Sequence, residues 1–434
     1  MENDTEKHTR LYRSRFLMLF LFIAYSMSNA FQWIEYSIIS NIISYYYQVP
    51  NYAVSWTSII YSVLYLILIV PSNWILEKKG LRFIVLLGSF FTCLGSWIKC
   101  CSLIPSRLGF AITMVGQSIV AANDVFILGI PSHLAGVWFG ADEQCRACAV
   151  GVFGNQLGIA LGFLLPPLIV PNSSNNDDIE RGLTILYYSL AVINSVIFIF
   201  IVFFFKKKPP HPPSIAQAAV LSGDSRSSYW ASMGKLCKNF NFMLLLVTYG
   251  IVVGVFYAIS TFLNEIILFY NKGEEESVGL MGLIIVVAGM IGSVVCGVIL
   301  DKTHRYKQVT LSVYVLSVLA MVAFTLVLPF GLLPMFFVSS LLGFFMIGYL
   351  PIGFEFAAEL TYPEAEANSA GLLNVSANIF GIVLMAGGGA LLEHYGDKIF
   401  NICLIVTLVV GSIATVLIKS DLRRYKVSQK GGDI

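Results

Sequence analysis

Charged residues are scarce in this sequence of 434 residues, since Asp, Glu, Lys and Arg together make up 12% of it. A soluble domain is typically about 25% charged and about 45–50% apolar, whereas 57% of this chain is hydrophobic. Such a composition argues against a soluble enzyme and excludes intrinsic disorder. The 27 basic and 25 acidic residues nearly cancel, which excludes a nucleic-acid-binding surface. We therefore expect a protein embedded in the lipid bilayer.

Clusters of cysteine and histidine are also missing. The eight Cys and five His are scattered along the chain, and the C-x-x-C spacing of Cys145 and Cys148 has no second pair to complete a metal site. We find neither a phosphate-binding loop nor a nucleophile motif. The sequence therefore predicts no enzyme, no metal, no cofactor and no disulfide framework.

Long apolar runs, in contrast, recur along the whole chain. Each run is about 20 residues or more, long enough to cross a hydrocarbon core of ~30 Å as a helix, and none shows the alternating polarity of β-barrel strands. The sequence therefore predicts an all-α membrane protein with 12 transmembrane helices. They are expected at 16–43, 54–76, 83–101, 109–137, 147–170, 183–205, 242–269, 278–300, 309–330, 333–359, 369–392 and 399–418.

The basic residues between these runs predict the orientation, because cytoplasmic loops carry an excess of Lys and Arg. With both termini on one side, that side holds 22 of the 27 basic residues. We therefore expect cytoplasmic N- and C-termini in a multi-pass membrane protein. We also expect the protein in the plasma membrane. Asn172 begins an N-glycosylation sequon in the loop after the fifth run, which this topology places outside.

The longest polar segment inside the chain divides the twelve runs into two sets of six. It opens with three lysines followed by two prolines, a composition typical of an extended basic stretch. The predicted organisation is a cytoplasmic tail (1–15), an N-terminal six-helix bundle (16–205), a cytoplasmic linker (206–241), a C-terminal six-helix bundle (242–418) and a second cytoplasmic tail (419–434).

Two predicted cytoplasmic loops carry related charge patterns, 224 residues apart. In both loops an acid at a helix end is followed directly by one cation and then by another four or five residues after the acid. An acid there can pair with basic groups or with the N-terminus of a neighbouring helix and hold a gate shut. The gate residues are Glu77, Lys78 and Arg82 in the first loop and Asp301, Lys302 and Arg305 in the second. The pair resembles the loop signature of the major facilitator superfamily, which implies two six-helix bundles around a central cavity.

Five acids lie within the apolar runs: Glu35, Asp124 and Glu265 deep inside theirs, and Glu355 and Glu359 near the end of a helix. Ionisable groups inside a membrane cost several kcal/mol unless they face a cavity or a partner. Only Lys99, near the end of its run, offers a cation within the membrane. The acids therefore predict a cavity of negative sign, which favours a cationic substrate or a carried proton.

Aromatic and amide side chains accompany these acids. Trp33 precedes Glu35 by two residues, and Tyr257 lies in the middle of the seventh run. A quaternary ammonium group has no N–H to donate, so aromatic faces are its natural partners, worth roughly 0.5–2 kcal/mol each. Gln156 and Asn378 add polar groups that line a cavity or join helices.

Seven unusual strings are spread over nearly the whole chain. They are FQWI (31–34), VFILG (125–129), VWFG (137–140), GNQLG (154–158), PIGFEF (351–356), TYPE (361–364) and SDLRR (420–424). Together they resemble the feline leukaemia virus subgroup C receptor-related family. The resemblance implies a carrier of choline and ethanolamine that needs no coupled ion, although members have also been described as haem exporters. It further implies that Trp33 and Tyr257 form the choline site.

The sequence departs from the pattern of that family at polar positions. The two glutamines that complete the family's site fall at Asp124 and Asn378, and Glu35 and Glu265 also stand where the family usually has glutamine. The aromatic pair is kept while acids replace amides. This change predicts either tighter binding of a cation or coupling to protons.

Our leading hypothesis is a monomeric carrier of a choline-like cation that works by alternating access. Trp33 and Tyr257 would contact the ammonium, Asp124 would supply the counter-charge, and Gln156, Asn378 and Glu35 would line the pocket.

Two alternatives remain. A haem transporter fits less well, because haem is a dianion and no pair of axial ligands is evident. A receptor or scaffold without transport is the third hypothesis, and both copies of the gate pattern argue against it.

Overall fold

The computed structural model describes residues 10–211, 213, 229–364 and 366–419. Within these ranges, twelve stretches of helix are long and apolar enough to cross a membrane, which confirms the predicted all-α fold with 12 spans. Most of the predicted linker, the tail up to residue 9 and the SDLRR string (420–424) lie outside the described residues.

The first six spans contain eight helices. They are α1 (Ser14–Ile34), α2 (Ser40–Tyr47), α3 (Asn51–Lys79), α4 (Leu81–Cys100), α5 (Arg107–Ala121), α6 (Asp124–Trp138), α7 (Ala141–Ile169) and α8 (Asn176–Phe204). The later part of the chain adds a short helix and six long ones. They are α9 (Tyr229–Lys238), α10 (Phe240–Tyr270), α11 (Glu275–Thr303), α12 (Tyr306–Val327), α13 (Leu332–Thr361), α14 (Glu366–Tyr395) and α15 (Asp397–Leu417).

Contacts divide the chain into two compact units. Unit 1 comprises Met1–Tyr36, Ile42–Pro50 and Leu64–Arg226, and unit 2 comprises Ser37–Asn41, Asn51–Val63 and Ser227–Ile434. Two short pieces of the first two spans thus group with unit 2, although the sequence places them in the N-terminal bundle. The predicted domain boundaries themselves stay a prediction.

Two spans that the sequence predicts as continuous helices are interrupted. In the first span α1 ends at Ile34, a 3-10 turn covers Ser37–Ile39, and α2 follows. In the fourth span α5 ends at Ala121 and α6 begins at Asp124. The predicted spans 16–43 and 109–137 are both present, at Ser14–Tyr47 and Arg107–Trp138, but the breaks inside them were not predicted, because hydropathy does not report a break inside an apolar run.

The two breaks are capped reciprocally by amide side chains. The last four carbonyls of a helix lack partners within it, and lipid offers no water to replace them. Gln117 of α5 donates from Nε2 to the carbonyl oxygen of Gln32 near the end of α1, at 2.7 Å. Asn29 of α1 donates from Nδ2 to the carbonyl oxygen of Val120 near the end of α5, at 3.1 Å. Each broken span therefore satisfies the backbone of the other.

In unit 1, α7 packs closely against α1 through glycines spaced four residues apart. A Cβ atom at Gly154 would lie 2.6 Å from Ile23 Cγ2, one at Gly158 would lie 2.8 Å from Met27 Cα, and one at Gly162 would lie 2.8 Å from the Phe31 carbonyl oxygen. Small residues permit such approach where lipid removes the hydrophobic driving force between helices. Asn155 also donates to Ser26 Oγ across this contact, at 3.2 Å. The glycine stripe therefore holds α7 against the helix that carries Trp33.

Gly158→Ala is expected to lower the thermal unfolding temperature of the purified protein by several degrees. The added methyl would meet backbone atoms of Met27, and overpacking costs on the order of 1–3 kcal/mol. Gly129→Ala is the control, because a Cβ at Gly129 would meet nothing within 4 Å. Equal unfolding temperatures for the two variants, measured in one detergent, would contradict this close packing.

In unit 2, glycines also allow close packing between helices. Gly250 and Gly254 bring α10 against α14, where added Cβ atoms would lie 2.5 Å and 2.9 Å from atoms of Phe380. Gly292 of α11 and Gly343 of α13 face backbone atoms of each other's helix. The helices α10 and α14 carry Tyr257 and Asn378, two of the predicted site residues, and this contact brings the two helices together.

The short helix α9 is fastened to the turn between α13 and α14. Ser232 donates from Oγ to Glu364 Oε2 at 2.5 Å, and Lys235 donates from Nζ to Glu364 Oε1 at 3.1 Å. Asn239 donates from Nδ2 to the Leu360 carbonyl oxygen at 2.9 Å. The hydrogen bond from Ser232 and the Lys235 ammonium lower the pKa of Glu364 below its ordinary value. The carboxylate of the TYPE string therefore anchors α9 to unit 2.

Candidate functional site

Trp33 lies in the last turn of α1, directly before the break in the first span. Its side chain is nearly buried, with 8% of the residue exposed. The preceding residue, Gln32, is fully buried, and so is Glu35, which follows the end of α1. The aromatic ring predicted to bind a cation thus sits at the end of α1, where the helix of the first span is interrupted.

One buried lysine, Lys99, binds a residue on each side of Trp33 in the sequence. Lys99 of α4 donates from Nζ to Glu35 Oε1 at 2.7 Å and to Gln32 Oε1 at 3.0 Å. The Lys99 side chain is 2% exposed and that of Glu35 is 0% exposed, so neither charge is screened by water. The sequence counted Glu35 toward the negative sign of a cavity, whereas the structure gives it a cationic partner. Its place in the substrate site stays a prediction.

The network around Lys99 extends through neutral side chains. Ser96 donates from Oγ to Gln32 Oε1 at 3.2 Å, Asn194 donates from Nδ2 to Ser96 Oγ at 2.9 Å, and Ser28 donates from Oγ to Asn194 Oδ1 at 2.6 Å. The Lys99 ammonium also lies 5.2 Å from the centre of the Tyr36 ring. Sequence reasoning missed this set as a whole. The sequence offered two signals for this network: Lys99, a lysine inside one apolar run, and Glu35, an acid inside another.

Asp124 and Gln156 are the other predicted site residues of unit 1. Asp124 is half-buried at the first position of α6, where the partial positive charge of a helix N-terminus stabilises a carboxylate. Gln156 is half-buried in α7, and its Oε1 atom accepts no hydrogen bond from the part of the chain that the structure describes. A buried acceptor without a donor is costly. Gln156 therefore has an acceptor available for a ligand.

Tyr257 and Asn378 are the predicted site residues of unit 2, and the structure brings their helices together. A Cβ atom at Gly381 of α14 would lie only 2.8 Å from Tyr257 Cδ2, so the ring rests on the bare backbone of that glycine. Asn378 lies three residues earlier in α14, 3% exposed, and donates from Nδ2 to the Asn374 carbonyl oxygen at 2.9 Å. The aromatic ring and the amide thus lie within one helical turn of each other along α14.

A second polar group in unit 2 surrounds Asn264 of α10. Asn264 donates from Nδ2 to Ser40 Oγ at 3.2 Å and to Asn41 Oδ1 at 2.8 Å. Asn41 in turn donates to Glu275 Oε1 at 3.0 Å. The neighbouring acid, Glu265, is half-buried. These bonds attach the piece of the first span that follows the break to α10 and α11.

The predicted gate residues are exposed wherever their side chains are described; the Glu77 side chain lies outside that part. Lys78 Nζ lies 4.4 Å from the centre of the Trp74 ring, and Arg82 donates to the Val202 carbonyl oxygen at 3.2 Å. Arg305 donates to Gln308 Oε1 at 3.4 Å, while Asp301 and Lys302 are exposed at the end of α11. The gate contacts stay a prediction. Asn172 is exposed between α7 and α8, in a loop as the sequon requires.

Comparison with known proteins places the chain in a family. Residues 21–385 match the model of the Major Facilitator Superfamily. The chain is 50% identical to the choline/ethanolamine transporter flvcr2a of Danio rerio, covering 100% of this chain and 92% of the relative. It is 49% identical to the choline/ethanolamine transporter FLVCR1 of Felis catus (98% and 76% covered) and 46% identical to FLVCR2 of Homo sapiens (96% and 80% covered).

Solved structures support the fold. A bacterial homologue of the human lysosomal transporter Spinster, inward-facing and unoccupied, matches with a TM-score of 0.74 at 12% identity, over 96% of this chain and 99% of that one. The E. coli fucose:proton symporter matches with a TM-score of 0.64 at 14% identity, over 94% and 100%. At such low identity the likeness concerns the fold alone. Taken with the family match and the whole-length relatives, it shows that the chain belongs to the major facilitator superfamily and, within it, to the feline leukaemia virus subgroup C receptor-related family.

Proposed function

We propose that this protein carries choline and ethanolamine across the membrane by alternating access, as a facilitative uniporter. The observation that carries the proposal is identity of 46–50% to choline/ethanolamine transporters over 96–100% of the chain. Twelve spans provide the helices for two bundles that rock around a central substrate.

The chemistry of the proposed site residues suits such a cargo. Trp33 and Tyr257 each offer an aromatic face to the ammonium group, an interaction worth roughly 0.5–2 kcal/mol. Asp124 supplies a counter-charge, and the available Gln156 Oε1 suits the hydroxyl proton that choline and ethanolamine share. Asn378 and Glu35 complete the proposed pocket. Because Lys99 neutralises Glu35, the net charge of the pocket rests on Asp124, which fits a monovalent cation.

The proposal extends to the setting of the protein. The excess of basic residues on one side supports cytoplasmic termini, and the exposed Asn172 supports glycosylation outside a plasma membrane. We further propose that the chain works as a monomer and that the two loop patterns, Glu77 to Arg82 and Asp301 to Arg305, form its cytoplasmic gate.

Haem transport and a receptor without transport are not favoured. The relatives reported above are named for choline and ethanolamine. In the described residues, no group of three or more His, Cys, Asp or Glu side chains is arranged to hold a metal ion. A haem dianion would also be repelled by Asp124.

The decisive experiment is uptake into proteoliposomes that contain the purified protein. Labelled choline and ethanolamine are expected to accumulate to equilibrium and no further, at rates that a pH gradient does not change, whereas haem is expected to match protein-free vesicles. Haem accumulation without choline uptake would overturn the proposal. Choline uptake that follows a pH gradient and is lost in Glu35→Gln would replace uniport by proton symport.

A further inference from the structure

We propose that Lys99 is a positioning residue of the substrate site. It binds Gln32 and Glu35, which lie on either side of Trp33 in the sequence, and thereby fixes the position of the Trp33 indole beside the break in the first span. The inference rests on the proposed function, because it assigns to Lys99 a role in the binding of that substrate. Lys99 itself lies on α4 and is 1% exposed.

The geometry of the contacts carries the proposal. Gln32 is the residue before Trp33, and Glu35 follows Trp33 by two positions across the end of α1. One ammonium group reaches both, at 3.0 Å and 2.7 Å. The backbone of the same turn is held by Gln117, which donates to the Gln32 carbonyl oxygen at 2.7 Å. The indole between these contacts therefore has little freedom to shift with its backbone.

The energetics argue for a role beyond stability. Taking two charges out of water is expensive, and replacing a buried ion pair by well-packed hydrophobic residues of similar volume is often neutral or stabilising. A buried charge-assisted bond does, however, fix geometry more strictly than a neutral contact. The buried Lys99–Glu35 pair beside Trp33 therefore fixes the orientation of the indole. Apolar packing at the same place would stabilise the fold without fixing that orientation.

A neutral double variant separates positioning from folding. Lys99→Met alone would leave the Glu35 carboxylate buried without its cation, which is strongly destabilising. Glu35→Gln combined with Lys99→Met removes both charges and is expected to purify and unfold like the unmodified protein. We expect its KM for choline to rise at least tenfold while Vmax stays within twofold. A KM equal to that of the unmodified protein would overturn the proposal.

A mutant cycle tests whether the effect passes through Trp33. In a Trp33→Phe background, which keeps a weaker aromatic face, the double variant is expected to raise KM less than twofold. In a Tyr257→Phe background it is expected to keep its full tenfold effect, because the proposed role of Lys99 passes through Trp33 and the two changes then combine additively. Full effects in both backgrounds would show that Lys99 acts elsewhere. Lys99→Arg, which retains a cation with several donors, is expected to keep KM within threefold.

A fluorescence measurement decides the proposal without any substrate. The emission of Trp33 is taken as the difference between each protein and its Trp33→Phe counterpart. We expect acrylamide to quench this emission more strongly in the Glu35→Gln, Lys99→Met variant. The control removes another ion pair of unit 1, Arg15 with Glu143 at 2.9 Å, and is expected to leave the quenching unchanged.

The two failures are distinguishable. If the unmodified protein carries no choline, the proposed function fails while the fluorescence still tests the placement of Trp33 by Lys99. If choline uptake is normal but neither KM nor quenching changes, the role of Lys99 is refuted alone.

Discussion

A Trp33→Ala variant is expected to take up labelled choline no faster than protein-free vesicles. The substitution removes the aromatic face that we propose for the ammonium, and a loss of about 2 kcal/mol alone corresponds to roughly 30-fold weaker binding. It also leaves a void beside the break in the first span. The measurement is the initial rate of uptake at a choline concentration below the KM of the unmodified protein.

Trp97→Ala provides a matched control for this variant. Trp97 is a half-exposed tryptophan of α4 in the same unit, where it donates to Ser195 Oγ at 2.9 Å and lies edge-on to Tyr188. This variant is expected to keep at least half of the uptake rate. Equal uptake by the Trp33→Ala variant and the unmodified protein, at equal protein content, would refute the placement of the ammonium against Trp33.

The second large effect is expected from Gly381→Ala, which changes no group of the proposed pocket. The new methyl would lie 2.8 Å from Tyr257 Cδ2, too close for carbon atoms, so the ring or α14 has to move. A displacement of about 1 Å in a functional group can cost on the order of 10²-fold in activity. We therefore expect at least a tenfold loss of choline uptake at low substrate concentration, with normal expression.

Gly387→Ala in the same helix is the control, since a Cβ there would meet nothing within 4 Å. It is expected to transport like the unmodified protein. If both glycine variants lose activity equally, the cause lies in α14 as a whole and the contact with Tyr257 is not responsible. If neither loses activity, Tyr257 either tolerates the shift or has no part in binding.

The sequence predicted the membrane fold well, because apolar runs of about 20 residues have few alternative structures in a lipid bilayer. It did not predict the breaks in the first and fourth spans. Hydropathy is averaged over a window of residues. The side chains that satisfy the backbone at each break lie on the other broken span: Gln117 of the fourth span serves the first, and Asn29 of the first span serves the fourth. A break that depends on a tertiary contact leaves no local pattern to read.

The site shows the same division between local and tertiary information. Trp33, Asp124 and Tyr257 stand out in the sequence as polar or aromatic groups in apolar runs. The partner of Glu35 does not, because a position near the end of a run leaves open whether Lys99 points to the membrane surface or inward. In the structure Lys99 points inward, and its Nζ atom lies 2.7 Å from Glu35 Oε1. The spacing role of Gly381 is equally invisible, since the sequence contains 36 glycines.

The reciprocal capping of the broken spans has a consequence for biogenesis. The side chains that satisfy Gln32 of the first span are synthesised 67 residues later, at Lys99, and 85 residues later, at Gln117. Until the third and fourth spans have emerged from the ribosome, the first span carries an acid and a helix-end carbonyl that lipid cannot solvate. We therefore expect the first span to reach its final, fully hydrogen-bonded state only after the third and fourth spans have been synthesised.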